Sequence, residues 1–367
     1  MGRPSTVDVD LAALTANAAA LVAASDGAQL CAVVKADGYG HGAVTAARAA
    51  LAGGATWLAV AMVEEGLELR SSGLTAPVLV LSEAPTDMVP AAVEGDLTLT
   101  VYSERSVDEA AAAGPATVHL KIDTGMHRVG ADPADAVALA RRVLAAGLTL
   151  GGTFTHLARA DEPDEPLTAA QLATFEQVLA DLSAAGIDPG LRHAANSAGL
   201  LLHPAARYDM VRAGIALYGI PPAADLEGTG HVAALVPALS LSSEVTAVRP
   251  LAAGEGVNYG HRWVAGHDTV VAVVPVGYAD GVRRDYGLRG GEVLIGGVRR
   301  PVRGVVTMDQ LVVEVGDGPP VARGEEVVLL GRQGDERVAA TEWADRLDTI
   351  GYEVVCAFSA RLPRTSA

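Results

Sequence analysis

Lys35 follows a short apolar run and leads into a glycine-spaced turn: Ala32-Val33-Val34-Lys35-Ala36-Asp37-Gly38-Tyr39-Gly40-His41-Gly42. Residues 31–34 read as a strand, so Lys35 stands at its end. Gly38, Gly40 and Gly42 let the backbone bend tightly and approach a ligand. A lysine enclosed at a strand end can shed its charge and act as nucleophile or base. On an open surface the same residue is an ordinary cation beside an ordinary turn. Polar residues recur at the ends of later apolar runs. Arg128 closes Lys121-Ile122-Asp123-Thr124-Gly125-Met126-His127-Arg128, and His156 follows Thr155. His193, Asn196 and Ser197 lie together, and Arg212 precedes Gly214 and Ile215. Each has a plain explanation alone: Arg128 as a surface ion pair, His156 as a satisfied core imidazole, Asn196-Ser197 as a helix cap. Gathered at one rim they describe a site.

Such a rim requires a scaffold that collects strand ends. Strand-like segments are read at residues 30–34, 57–61, 78–82, 97–101, 117–122, 150–155, 192–196 and 208–212. Between them lie helix-compatible segments, among them 44–51, 64–71, 134–145 and 167–184, the last with Thr168 as N-cap. Eight strands alternating with helices is the pattern of a (β/α)8 barrel of TIM type, an α/β fold whose functional groups sit at the C-terminal strand ends. A doubly wound sheet would carry a Gly-rich phosphate loop after its first strand, and the Gly38–Gly42 spacing does not match one. After Pro221-Pro222 the character changes. Residues 223–231 read as a linker, and strand-like runs follow at 241–248, 269–276, 292–295, 310–315 and 326–330, with a late helix over 341–346. The expected division is a barrel over residues 1–228 that binds the cofactor, and a mainly β domain over 229–367.

The 367 residues suffice for two domains, and a half-hydrophobic composition supplies their cores. A formal charge of −17 argues against a nucleic-acid partner, which needs basic patches. No apolar run approaches membrane-spanning length, and the N-terminus lacks the pattern of a signal peptide. Met1-Gly2 with Thr6 has the outline of a myristoylation pattern, one too short to carry weight. Cys31 and Cys356 lie in apolar, strand-like runs, as reduced buried thiols of a cytoplasmic protein do. Nothing in the pattern calls for a metal.

Phosphate sites in this fold form from the loops after strands seven and eight. Ser197 offers a hydroxyl there, the amides near Gly214-Ile215 offer donors, and Tyr39 reaches over from the first turn. A phosphorylated, electrophilic cofactor beside a strand-end lysine suggests pyridoxal 5'-phosphate held as a Schiff base. A barrel aldolase with a Schiff-base lysine has the same features so far.

The runs 32–42, 121–128, 193–197, 211–218, 254–259, 277–281, 308–309 and 348–352, in this order and almost end to end, resemble bacterial alanine racemase. The first run and Gly277-Tyr278-Ala279-Asp280-Gly281 are the most specific. The resemblance implies interconversion of L- and D-alanine on pyridoxal phosphate, supplying D-alanine for peptidoglycan. It implies a homodimer in which Lys35 is Schiff-base lysine and D-side base, opposed on the L side by Tyr259 from the partner subunit. Arg212, supported by His193, resembles the arginine at the pyridine nitrogen, a choice that weakens the electron sink and disfavours transamination. Arg128 resembles the group on the substrate carboxylate and the cofactor's phenolic oxygen, Lys121 an often carbamylated lysine that orients it, and Met308 the residue whose amide meets the carboxylate. Tyr352, with Tyr39, Ser197, Gly214 and Ile215, resembles the phosphate set, and Asn196 lies beside it. His156 resembles a support of the cofactor ring, Arg284 a support of Tyr259; Tyr278 and Asp309 share the pocket. Thr307 stands where many relatives carry cysteine, and His127 where some carry glycine. Alternatives are a racemase of broader specificity, a barrel decarboxylase, and a non-enzymatic pyridoxal-phosphate-binding barrel, which lacks the second domain.

Overall fold

The computed structural model describes residues 3–366; Met1-Gly2, and with them the myristoylation outline, lie outside the described residues. The chain divides into two units: Ala12–Val236, and a second that joins the chain from Pro237 onward to the N-terminal residues up to Leu11. The first strand, β1 (Thr6–Val9), is therefore part of the second unit rather than of the barrel with which residues 1–228 were grouped. Its burial gives the reason. Val7 and Val9 are buried while Thr6 and Asp8 are partly exposed, the two-residue period of a half-covered strand. The barrel strands are buried nearly throughout, as parallel strands covered on both faces must be.

In the first unit those strands are β2 (Gln29–Val33), β3 (Trp57–Val60), β4 (Val78–Val80), β5 (Leu99–Val101), β6 (Thr117–Lys121), β7 (Thr149–Phe154), β8 (Leu191–His193) and β9 (Met210–Ala213). They form two parallel sheets, β4-β3-β2-β9 and β5-β6-β7-β8. A parallel bridge between Leu79 and Thr98 joins β4 to β5. Arg212 N–H donates to Ala195 O and Asp209 N–H to Arg192 O, each at 3.0 Å, which joins β9 to β8 and closes the ring. Helices Ala43–Ala52, Val63–Ser71, Glu104–Ala113, Ala136–Ala145 and Pro166–Ala184 alternate with the strands. The last begins before Thr168: Pro166, with no N–H to satisfy, takes the first turn, and Thr168 is buried inside the helix rather than capping it.

The second unit is one large sheet. Its strands are β10 (Leu239–Glu244), β11 (Ala247–Leu251), β12 (Thr269–Val274), β13 (Glu292–Ile295), β14 (Val298–Arg303), β15 (Leu311–Glu314), β16 (Glu326–Gln333), β17 (Glu336–Val338) and β18 (Arg364–Ser366). The order is β11-β12-β15-β14-β13-β16-β10-β1-β18, with β17 on β16. Val7 stands opposite Leu241 of β10 and beside Arg364 of β18. The run read as one strand over 241–248 is two, β10 pairing with β16 and β11 with β12. Strand β14 escapes a hydrophobic reading because it carries Arg299, Arg300 and Pro301. Arg299 pairs with Glu292, Glu336 and Glu342, and buried Arg300 donates to the carbonyls of Asp317 and Pro319. Cys31 is buried in β2, but Cys356 ends the helix Gly351–Cys356 and is exposed, contrary to the strand-like reading of its apolar neighbours. No helix among the described residues is long and apolar enough to cross a membrane.

Candidate active site

Strand β2 stops at Val33, and Lys35 opens a turn over Lys35–Tyr39. Ala36, Asp37, Gly38 and Tyr39 hold φ of 53°, 52°, 60° and 53°, a single left-handed turn in which only one residue is glycine. Each non-glycine position there costs roughly 1–2 kcal/mol. The surroundings hold the turn in place. Ala36 N–H donates to Glu65 Oε1 (2.6 Å), Asp37 Oδ1 accepts from Ala43 N–H (2.9 Å), and Gly38 N–H donates to Val34 O (2.9 Å). Beneath it the Tyr39 and His41 rings pack on buried Tyr218, 4.9 and 4.4 Å between centroids, and Tyr218 Oη donates to Val33 O. Lys35 is thus presented on backbone that cannot relax without breaking these bonds.

Arg212 lies on β9 in register with Cys31 of the neighbouring β2. Its guanidinium is buried. Nη1 donates to His193 Nδ1 (2.7 Å), and Nη2 to Thr155 O (2.7 Å) and Ala194 O (3.0 Å), with His156 Nδ1 at 3.3 Å. Burial pulls its pKa to about 10, so it stays charged at neutral pH. Burial, reinforced by the Arg212 charge, pushes His156 and His193 well below the usual imidazole range, so both are neutral. The ring of Phe154 stacks on His193 at 4.6 Å, with Arg212 Cζ 5.2 Å and Lys121 Nζ 5.3 Å from its centroid. Lys121, the last residue of β6, is buried and donates to Leu81 O at 3.0 Å. Burial first, then the charges of Arg212, Arg128 and Lys35, lower its pKa to about 7. Four basic groups, Lys35, Lys121, Arg128 and Arg212, therefore converge on this rim, a field suited to an anionic ligand.

Arg128 is exposed on a loop folded around Asp123, whose Oδ1 accepts from the amides of Gly125, Met126 and His127, each at 3.0 Å. His127 has φ 55°, the left-handed region that glycine enters without strain. After β8, Asn196 caps the helix Ser197–Leu202 through Gly199 N–H (2.9 Å), so its side chain has the structural role of a cap. Ser197 Oγ accepts from Gly214 N–H (2.9 Å) and Ala216 N–H (3.3 Å), which leaves its hydroxyl proton to donate. Gly214 precedes the 3-10 turn Ile215–Tyr218. A Cβ on Gly214 would stand 2.5 Å from Tyr39 Oη, so the absence of a side chain lets Ser197, Gly214, Ile215 and Tyr39 crowd around one small volume.

The second unit carries the other expected residues. Tyr259 is 72% exposed on a turn with Asn258, Gly260 and His261 all at positive φ. Asn258 Nδ2 ties that turn to Val305 O at 2.9 Å. Tyr278 and Met308 are exposed on two loops joined by backbone bonds, Tyr278 N–H to Thr307 O (2.9 Å) and Ala279 N–H to Met308 O (3.1 Å). Arg3 clamps the pair: it grips buried Asp280 bidentately at 2.7 and 2.6 Å and donates to Asp309 O at 3.0 Å. Arg361 holds the Asp309 carboxylate at 2.6 Å. Thr307 Oγ1 donates to Gln310 O and accepts from Gln310 N–H, closing the Met308 turn. Arg284, exposed, lines a surface depression with Tyr278, Gly281, Val282, Arg283 and Ala357. Tyr352 is partly buried on the helix Gly351–Cys356.

The barrel rim thus gathers Lys35, Tyr39, Lys121, Arg128, His156, His193, Asn196, Ser197, Arg212, Gly214 and Ile215, and the β unit carries Tyr259, Tyr278, Arg284, Met308, Asp309 and Tyr352. Sequence reading missed His119, Phe154, Thr155 and Tyr218, which look like strand or core residues. One overlooked signal is compositional: Lys35 and Lys121 are the chain's two lysines, every other basic side chain of this class being arginine.

Comparison with known proteins places these features in a family. The family model "Alanine racemase, N-terminal domain" matches residues 9–222, and "Alanine racemase, C-terminal domain" matches residues 238–366. The chain is 48% identical to an alanine racemase of Symbiobacterium thermophilum over 99% of its own length and 97% of the relative's. It is 45% identical to that of Thermobifida fusca over 97% and 96%. Among solved structures, alanine racemase from D-cycloserine producing Streptomyces lavendulae superposes with a TM-score of 0.93 at 38% identity, covering 100% of this chain and 98% of that one. The Enterococcus structure, alanine racemase from E. faecalis, gives 0.92 at 38% with the same coverage.

Proposed function

The chain belongs to the alanine racemase family and interconverts L- and D-alanine; on that premise we propose that it works with pyridoxal 5'-phosphate held at the barrel rim. The donor set fits that group. Ser197, Gly214, Ile215 and Tyr39 lie close together, with the Tyr39 hydroxyl packed against Gly214 where a Cβ would stand 2.5 Å from it, and the basic groups of the rim suit a phosphate and a carboxylate. Tyr352 adds a hydroxyl to the phosphate set, and His156 supports the ring. When bound, the cofactor supplies an electron sink that acidifies the α C–H of the amino acid attached to it.

The remaining work falls to the chain's own residues. Lys35 would anchor the cofactor at rest, and its free Nζ would take or return the α-proton on the D side. Tyr259 of the partner subunit does the same on the L side through Oη, since racemisation needs a base on each face. Arg212, which stays charged, would face the cofactor's ring nitrogen and keep it unprotonated, restraining side reactions. Arg128 and the Met308 amide bind the substrate carboxylate, a planar anion matched to a guanidinium. Lys121, with its pKa near 7, has the uncharged amine that carbamylation requires, and the added carboxylate would steer Arg128. Arg284 supports Tyr259, while Tyr278 and Asp309 shape the pocket. The active unit is a homodimer with shared sites, in the cytoplasm, supplying D-alanine for peptidoglycan.

The observation that carries the cofactor assignment is the pairing of β2 with β9, which sets the Lys35 turn beside a buried arginine held by neutral imidazoles. The test is racemisation of L-alanine by purified protein with and without added cofactor. D-alanine should form and rise with cofactor. Faster turnover of serine or lysine than of alanine would overturn the substrate assignment, and activity indifferent to cofactor removal the cofactor.

A further inference from the structure

His119 has no part in the assignments above, yet the barrel is built around it. It is fully buried on β6, and its Nδ1 lies 2.9 Å from His193 Nε2. Arg212, His193 and His119 thus form one continuous hydrogen-bonded line. Its proton order follows from chemistry. A guanidinium only donates, so His193 Nδ1 accepts from Arg212. Neutral His193 then carries its proton on Nε2 and donates it to His119 Nδ1. Neutral His119 in turn carries its own proton on Nε2. That atom is buried without a hydrogen-bond partner, and the His119 ring packs on Trp57 at 5.4 Å.

Strand β7 sets two glycines, Gly151 and Gly152, against this imidazole. The β6–β7 register passes from Val118–Leu150 to His119–Gly152, so Gly151 is skipped as a bulge. A Cβ on Gly152 would meet Leu191 O at 2.7 Å and His119 Nδ1 and Cε1 at 2.8 Å, and one on Gly151 would meet Thr117 Cγ2 at 2.4 Å and the His119 ring at 3.4 Å. The position keeps an imidazole although that leaves a buried N–H unsatisfied, and what the imidazole offers His193 is the acceptor at Nδ1.

We propose that His119 is a positioning residue: by accepting from His193 it fixes that ring's tautomer, and through it holds the Arg212 guanidinium in direction and charge. With no acceptor at 119, His193 can carry its proton on Nδ1, and that N–H would then face the Arg212 donor. The inference rests on the assignment of Arg212 to the cofactor's ring nitrogen.

The test uses His119→Phe, which keeps bulk and removes the acceptor, and His119→Asn, whose Oδ1 replaces Nδ1. Nitrogen NMR of histidine-labelled protein, with and without bound cofactor, should show His193 protonated at Nε2 in the wild type and in His119→Asn, and mixed tautomers in His119→Phe. At saturating alanine, kcat of His119→Phe should fall roughly tenfold in both directions, the size of one buried hydrogen bond left unmade, with KM little changed and activity largely restored in His119→Asn. A wild-type His193 protonated at Nδ1 overturns the proposal, as does equal loss in both variants, the mark of packing alone. So does a His119→Phe kcat within about twofold of wild type. Should His119→Phe not fold, the wild-type tautomer and the kcat of His119→Asn still decide. A wild type inactive on alanine would sink the proposed function but leave the tautomer result readable.

Discussion

Two lysines in a chain of 367 residues make the anchor question unusually clean. Lys35→Ala should abolish the visible absorption of lysine-bound cofactor and leave no borohydride-reducible adduct. The one place such an adduct could move is Lys121, and finding it there by peptide mapping would reverse the two roles. The opposing base is tested by asymmetry. Tyr259→Phe should slow solvent deuterium uptake into L-alanine far more than into D-alanine, and equal slowing at the proton-transfer step would rule out a two-base division. Residue identity alone made Lys35 and Arg212 legible as reactive groups. It could not reveal that His119 and Phe154 matter, because a histidine or phenylalanine in an apolar strand looks the same whether it packs or positions.

Elements aim these residues. The left-handed turn after β2 was partly legible, since its three glycines announce tight bending, but Ala36, Asp37 and Tyr39 adopt the same conformation without any local signal. Contacts from Glu65 and from Ala43 impose it, and both come from outside the turn. The loops bearing Tyr278 and Met308 are fixed in the same way. A Cβ at Gly277 would lie 2.3 Å from Met308 O and 2.4 Å from Thr307 O, backbone atoms that cannot step aside. Gly277→Ala should therefore cost about 1–3 kcal/mol in unfolding free energy and raise KM for alanine, measured by denaturant titration and steady-state kinetics. Unchanged KM would mean the two loops do not work as one unit. Strand β14 was illegible because its arginines find a carboxylate on a later helix and a carbonyl in a later loop.

At the scale of the whole molecule, the buried neutral imidazoles predict a response to acid. His119 falls from 6.5 to about 3, and His193 is also held well below the usual imidazole range by burial and by Arg212. The unfolded chain binds protons at these groups that the folded chain refuses. Stability is thus fully present above pH about 6.5 and is lost as pH falls toward the folded values, with a slope approaching about 1.4 kcal/mol per pH unit for each group. Denaturant titrations between pH 7 and 4 should show that loss, shallower by one group in His119→Phe; a parallel pH dependence would contradict the burial argument. Shared sites make a second prediction. Inactive Lys35→Ala and Tyr259→Phe chains, co-refolded, should regain about a quarter of wild-type activity, because each mixed dimer of a two-fold assembly restores one site. No recovery would place both bases on one subunit.

By itself the sequence determined the alternation of eight apolar strands with helices, the change to a β-rich second part, and the reactive residue types at strand ends. Those features rest on period, length and chemistry, which are local. Tertiary structure decided the rest: that β1 joins the second sheet, that Cys356 is exposed on a helix, and that His119 completes the line behind Arg212. Each depends on a partner more than 40 residues away or on burial, as the separation of 74 residues between His119 and His193 illustrates. Pairing, burial and proton order across such distances exist only once the chain has closed on itself.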